Sequence, residues 1–209
     1  MSYVHSVMTA HRDIIVIGAS LGGLEGLCRL TSGLPADLSA ALLVVLHTGP
    51  SSPRMLAEIV GRFSSLPVSY ARQGEVVVPA HVYVAPPDLH LTVVAPGVLV
   101  LSEGEKVHFS RPAADVLFHS AASVFGSRVI GVVMTGGDVD GAEGLRMIKA
   151  AGGLGVVQHP ATATNPEMPL NAVLADHPDF VVPLDEMAAL LTHLVESGAL
   201  QRRTASQNS

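Results

Sequence analysis

The feature that most limits how this chain can fold is a recurring unit. A continuous apolar run ends in glycine or a polar residue, and a helical pattern follows. "DIIVIGA" (13–19) precedes "GLEGLCRLTSGL" (23–34), and "AALLVVLH" (40–47) precedes "SSPRMLAEIVGRFSS" (51–65), which has serines to cap it and Pro53 early in it. "SRVIGVVMTGG" (127–137) precedes "DGAEGLRMIKAAGG" (140–153), which stops at glycine. Strands that are apolar without alternation belong to a sheet covered on both faces, and strand–helix alternation makes that sheet parallel and doubly wound. Two more short strands follow in "LGVVQHP" and "DFVVPL", with a short helix in "PLNAVLAD" between them. Met187, Leu190, Leu191 and Leu194 mark a last helix by their spacing.

The middle of the chain breaks the rhythm. "EVVVPAHVYVAPPDLHLTVVAPGVLVLSE" (75–103) has short β-branched runs interrupted by Pro and Gly, which read as one or two hairpins. "RPAADVLFHSAASVFG" (111–126) then reads as a helix with Pro112 in its first turn. The expected fold is therefore α/β: a doubly wound, mostly parallel sheet with helices on both faces and a β-hairpin insertion in the middle. One domain is expected over 13–198, with an N-terminal tail (1–12) and a frayed C-terminal tail (199–209).

Composition excludes several classes of function. The chain is 48% hydrophobic and 14% charged, yet no apolar run reaches the ~18 residues a membrane helix needs. The opening "MSYVHSVMTAHR" lacks the apolar core of a secretion signal. Cys28 is the single cysteine, so no intrachain disulfide forms, which fits a cytoplasmic protein. A net charge of -6 without a Lys/Arg cluster argues against nucleic acid as a partner.

In sheets of this kind ligands bind beyond the carboxyl ends of the strands. Three such ends carry polar residues that packing does not require: Ser20 in "IGASLGG", His47 in "VVLHTGP", and Asp138 and Asp140 in "MTGGDVDGAEG". A serine becomes a nucleophile when an imidazole takes its proton and a carboxylate orients that imidazole. Gly18-x-Ser20-x-Gly22 also fits the tight elbow that exposes such a serine at a helix N-terminus. The same letters resemble the phosphate loop of short-chain dehydrogenases, but its third glycine would fall on Leu24 and the expected ribose-binding acid near His47. A purely structural glycine turn, with Ser20 as a helix cap, is a third reading. Asp140 has a cap reading as well, and Asp138 competes with it as the acid. The sparse histidines, Asp88-Leu89-His90 included, make no metal-site pattern. The order Ser20, His47, Asp140 differs from that of ordinary α/β-hydrolases, where the acid precedes the histidine.

That order and its surrounding words resemble the catalytic domain of the bacterial chemotaxis protein-glutamate methylesterases. The resemblance runs over roughly residues 13–195 and rests on "IGASLGGLEGL", the His47 loop, "VYVAPPDLHL", "RPAADVLFHSAA" and "MTGGDVDGAEGL". It implies that Ser20 attacks glutamyl methyl esters of a chemoreceptor, His47 serves as base and then acid, and Asp140 orients His47. Glutamine deamidation is the same acyl chemistry. Leu21 and either Gly136 or Gly137 are the implied oxyanion donors, while Arg111 and the Asp88/His90 loop are implied near the cleft. No metal or organic cofactor is implied, and the protein partner is a methyl-accepting receptor. Many relatives carry a receiver domain. Only Met1–Arg12 precede the first strand here, so a separate regulatory protein is the expectation. Leu46, Gly137, Asp138 and Glu167 depart from the family's usual words, which leaves a catalytically degenerate, receptor-binding scaffold as the alternative to an active esterase.

Overall fold

All six residues of β1 (Ile14–Ala19) and all six of β2 (Ala41–Leu46) are buried, so neither strand has a face to give to water. Covering layers must lie on both sides. The structure is a computed structural model that describes residues 11–207, with side chains described through 197 apart from Asp176. Seven parallel strands run in the order β3 (Val68–Tyr70), β4 (Val82–Val84), β2, β1, β7 (Val129–Val133), β8 (Leu154–Gln158) and β9 (Phe180–Val182). Alternate strand residues supply two cores. Ile15, Ile17, Leu42, Val44, Ile130 and Val132 pack with α1 (Gly23–Ser32), α2 (Leu56–Gly61) and α6 (Leu184–Gln207). Ile14, Val16, Leu43, Val45 and Val133 pack with α3 (Ala114–Phe125), α4 (Ala142–Ala150), α5 (Glu167–Asp176) and the antiparallel hairpin β5 (His90–Val94)–β6 (Val98–Ser102). The expected doubly wound sheet with a hairpin insertion is the fold found.

Several boundaries differ from the sequence reading. Val82–Val84, read as part of a hairpin, joins the main sheet between β2 and β3, and Val68–Tyr70 forms an edge strand that the sequence did not announce. Strands of three residues carry too little alternation to be read. The helix expected over 51–65 shrinks to Leu56–Gly61, begins after Met55 and has no side-chain cap. The helix expected from Arg111 begins at Ala114. The last helix continues to Gln207 through most of the stretch expected to fray, where Ala, Leu, Gln and Arg are good helix formers. At the other end, Arg12 was assigned to a tail but is buried. Residues 1–10 and 208–209, the rest of the expected tails, lie outside the described residues. Among the described residues no helix is long and apolar enough to cross a membrane.

Strand order also places the crevice. From β1 the chain crosses to β2 on one side, and β7 occupies the other, so the topological switch lies at β1. The carboxyl ends of β2, β1 and β7 are the ends that carry His47, Ser20 and the two aspartates.

Candidate active site

Backbone hydrogen bonds join the three strand ends. The His47 amide donates to the Ala19 carbonyl at 3.0 Å, and the Ser20 amide donates to the Thr135 carbonyl at 2.9 Å. Ser20 thus sits between the His47 loop and the loop after β7. It does not cap α1: the capping position is Gly22, in a left-handed conformation with no side-chain bond. The structure therefore removes the cap reading of this serine.

His47 is held at both ring nitrogens. Nε2 lies 2.7 Å from Asp140 Oδ2, and Nδ1 lies 2.9 Å from Asp138 Oδ2, with Ser110 Oγ at 3.4 Å from the same Nδ1. The ring is nearly covered. Burial works against its charge, but the hydrogen bonds from both carboxylates and their negative charge outweigh it and push the His47 pKa up to about 9.

Asp140 owes its position to two helices that cap one another. Its Oδ2 accepts the amide of Ala114 and its Oδ1 accepts that of Asp115 at 2.9 Å, so a carboxylate from the β7–α4 loop closes the N-terminus of α3. This explains why α3 starts at Ala114, and it replaces the reading of Asp140 as a cap for its own helix. Asp115 returns the favour: its Oδ1 accepts Gly141 N at 3.0 Å and Gly144 N at 2.7 Å, closing α4. Two glycines allow the approach. A Cβ on Gly144 would stand 2.5 Å from Phe118 Cβ, and one on Gly18 would stand 2.6 Å from Ala114 Cβ. Burial opposes ionisation of Asp140, yet His47 and the amides of Asp115 and Ala114 hold its pKa below the ordinary range. Burial raises Asp115 instead.

The remaining sequence candidates divide. The Gly136 amide donates to the Asn165 carbonyl at 3.0 Å, so it is spent and is not the free oxyanion donor the sequence offered. The amides of Leu21 and Gly137 have no hydrogen-bond acceptor among the described residues. Arg111, Asp88 and His90 come together as a clamp. Arg111 Nε and Nη2 both donate to Asp88 Oδ1, at 3.0 and 2.8 Å, and Nη1 donates to the carbonyls of Glu103 and Gly104. His90 is buried, with Nε2 at 2.9 Å from the Glu105 carbonyl and Nδ1 accepting the Ala113 amide at 3.3 Å. These three tie the hairpin to the approach of α3. His108, Asp115 and Asp140 bring their ligand atoms within 4.8 Å of one another. That donor set is already engaged: Asp115 Oδ2 lies 3.2 Å from His108 Nε2, while the other carboxylate oxygens take amides and His47. It reads as a hydrogen-bond network.

The chain is similar to known proteins along most of its length. The model of the family described as CheB methylesterase matches residues 15–191. This chain belongs to that family. A relative from Pyrococcus horikoshii, named protein-glutamate methylesterase/protein-glutamine glutaminase, is 38% identical over 188 residues, covering 88% of this chain and 51% of the relative. A relative from Leptospira interrogans is 37% identical over 190 residues, covering 91% of this chain and 98% of the relative. The crystal structure of the Thermotoga maritima CheB methylesterase catalytic domain superposes with a TM-score of 0.85 at 33% identity, covering 89% of this chain and all (100%) of that one.

Some residues at the centre of the site went unassigned in the sequence. Ser110 touches His47 from the loop before α3, and only its place next to the Arg-Pro word pointed to it. Asp115 lay inside a quoted word, and a lone carboxylate on an apolar helix face was the signal that could have found it. Thr135 and Asn165 brace the elbow: Thr135 Oγ1 donates to the Leu21 carbonyl at 2.8 Å and accepts the Asn165 amide at 2.9 Å.

Proposed function

We propose that this chain is a serine hydrolase that removes methyl esters from glutamyl side chains of a methyl-accepting chemotaxis receptor, and that it acts in the cytoplasm. The observation that carries the reading is the buried Asp140 carboxylate, fixed by two helix amides and bonded to His47 Nε2, with Ser20 on the next strand end. In this reading the Ser20 hydroxyl adds to the ester carbonyl and passes its proton to His47. The protonated ring then gives that proton to the departing methoxide, so methanol leaves and an acyl-serine remains. Water, deprotonated by the same ring, cleaves the acyl-serine and restores Ser20 with a free glutamate. A glutamine side chain would follow the same path with ammonia as leaving group. The amides of Leu21 and Gly137 are the proposed oxyanion donors, since neither is engaged within the described residues.

The test is methanol release from methylated receptor membranes by the wild type and by Ser20→Ala. Release that depends on Ser20 supports the reading, and equal release by both proteins overturns it. A fluorophosphonate probe separates an active esterase from a binding scaffold, because only an activated serine is labelled.

A further inference from the structure

We infer that Asp138 is a positioning residue that occupies His47 Nδ1 at rest, so that the ring takes up a proton from a nucleophile only when Asp138 lets go. The inference rests on the reading of Ser20 and His47 as nucleophile and base.

The two carboxylates on His47 are not equivalent. Asp140 is locked, since its side chain is fully covered and its oxygens carry the amides of Ala114, Asp115 and Gly141. The proton on Nε2 therefore stays where it is. Nδ1 is the nitrogen left to receive a proton from a hydroxyl, and Asp138 Oδ2 occupies it at 2.9 Å. Asp138 is differently built. Its side chain keeps 27% of its exposure, and only Oδ2 touches the ring. Its backbone is anchored separately, by Asn171 Nδ2 on its carbonyl at 2.9 Å. Its Oδ1 accepts the Asp140 amide at 2.9 Å.

A histidine with an acceptor at each nitrogen is an imidazolium, and an imidazolium has no lone pair for a serine proton. The charged and polar groups facing the ring are Asp138 and Asp140 from the β7–α4 loop and Ser110 from the loop before α3. Behind Asp140 stand Asp115 and His108, which bond to one another.

The experiment follows the His47 ring by NMR in the full chain labelled at histidine, alongside the rate of fluorophosphonate labelling of Ser20 at each pH. In the wild type the ring is expected to titrate well above an ordinary histidine, its pKa pushed up to about 9 by the two carboxylates. In Asp138→Asn the midpoint falls by about one to three pH units, labelling at pH 7 rises about tenfold, and Asp138→Glu returns both toward the wild type. A midpoint that stays in place in a folded Asp138→Asn protein overturns the inference. Should that variant fail to fold, Asp138→Ser is read by the same two criteria. Absent labelling of every variant at every pH overturns the serine reading, and the inference with it. The NMR midpoint distinguishes that failure, because it reports the hold of Asp138 on the ring without any catalysis.

Discussion

The carboxylate of Asp140 lies 2.7 Å from His47 Nε2 and is wholly removed from solvent. Its desolvation is offset by hydrogen bonds from α3 and from the ring, so it remains charged and cannot turn away.

Replacing it tests how much of the chemistry this pair carries. Asp140→Asn keeps the shape of the side chain but presents a donor where the ring and two amides need an acceptor. Receptor demethylation should fall by roughly ten-thousand-fold, the loss seen when the acid of a Ser-His-Asp triad is replaced. Methanol release measures it, and a loss below tenfold would remove Asp140 from the triad.

The charge on His47 should be visible in stability. Its folded pKa of about 9 lies above the unfolded value of about 6.5, so the ring contributes fully below pH 6.5. That contribution drains away as the pH climbs through 9 and is of the order of 3 kcal/mol. The difference in urea unfolding free energy between the wild type and His47→Gln should therefore be large at pH 6 and small at pH 9.5. A difference that stays constant between the two would mean that the ring is neutral throughout.

Gly144→Ala sets two effects against each other. Alanine gains about 1 kcal/mol in a helix, while its Cβ would meet Phe118 Cβ at 2.5 Å, and overpacking of this kind costs about 1–3 kcal/mol. The clash is backbone-tied at both ends, so it wins. The melting temperature should drop by a few degrees. Methanol release should drop further than stability explains, because α3 carries the amides that hold Asp140. An unchanged melting temperature would show that the two helices separate at little cost.

Arg111→Lys probes the clamp. Lysine keeps the charge but cannot reach Asp88 and the Glu103 and Gly104 carbonyls together, since it lacks the guanidinium fork. A loss of about 1–3 kcal/mol in urea unfolding is expected, nearly that of Arg111→Ala. Full stability in the lysine variant would reduce the clamp to a simple charge pair.

The layers of this protein were readable because they depend on local patterns. Unbroken apolar runs at 13–19 and 40–47 require a sheet covered on both faces, and the strand ends then mark where polar residues serve something other than packing. His47 and Asp140, which the structure brings into contact, were singled out that way, as was the elbow at Ser20. The three-residue strands were not, because alternation over three positions looks like a loop.

The amino-acid order by itself determined the class of fold, the crevice and a short set of candidates, because period and residue type act over neighbours in the chain. Tertiary structure alone decided which acid is fully covered and which keeps some exposure, that α3 and α4 cap one another through Asp140 and Asp115, and that the Gly136 amide is spent on Asn165. Arg111, Asp88 and His90 became a clamp by the same route. The reason is physical: a hydrogen bond is made or lost within a few tenths of an ångström, and those distances are set by how two helices and three strand ends pack, which no local pattern encodes.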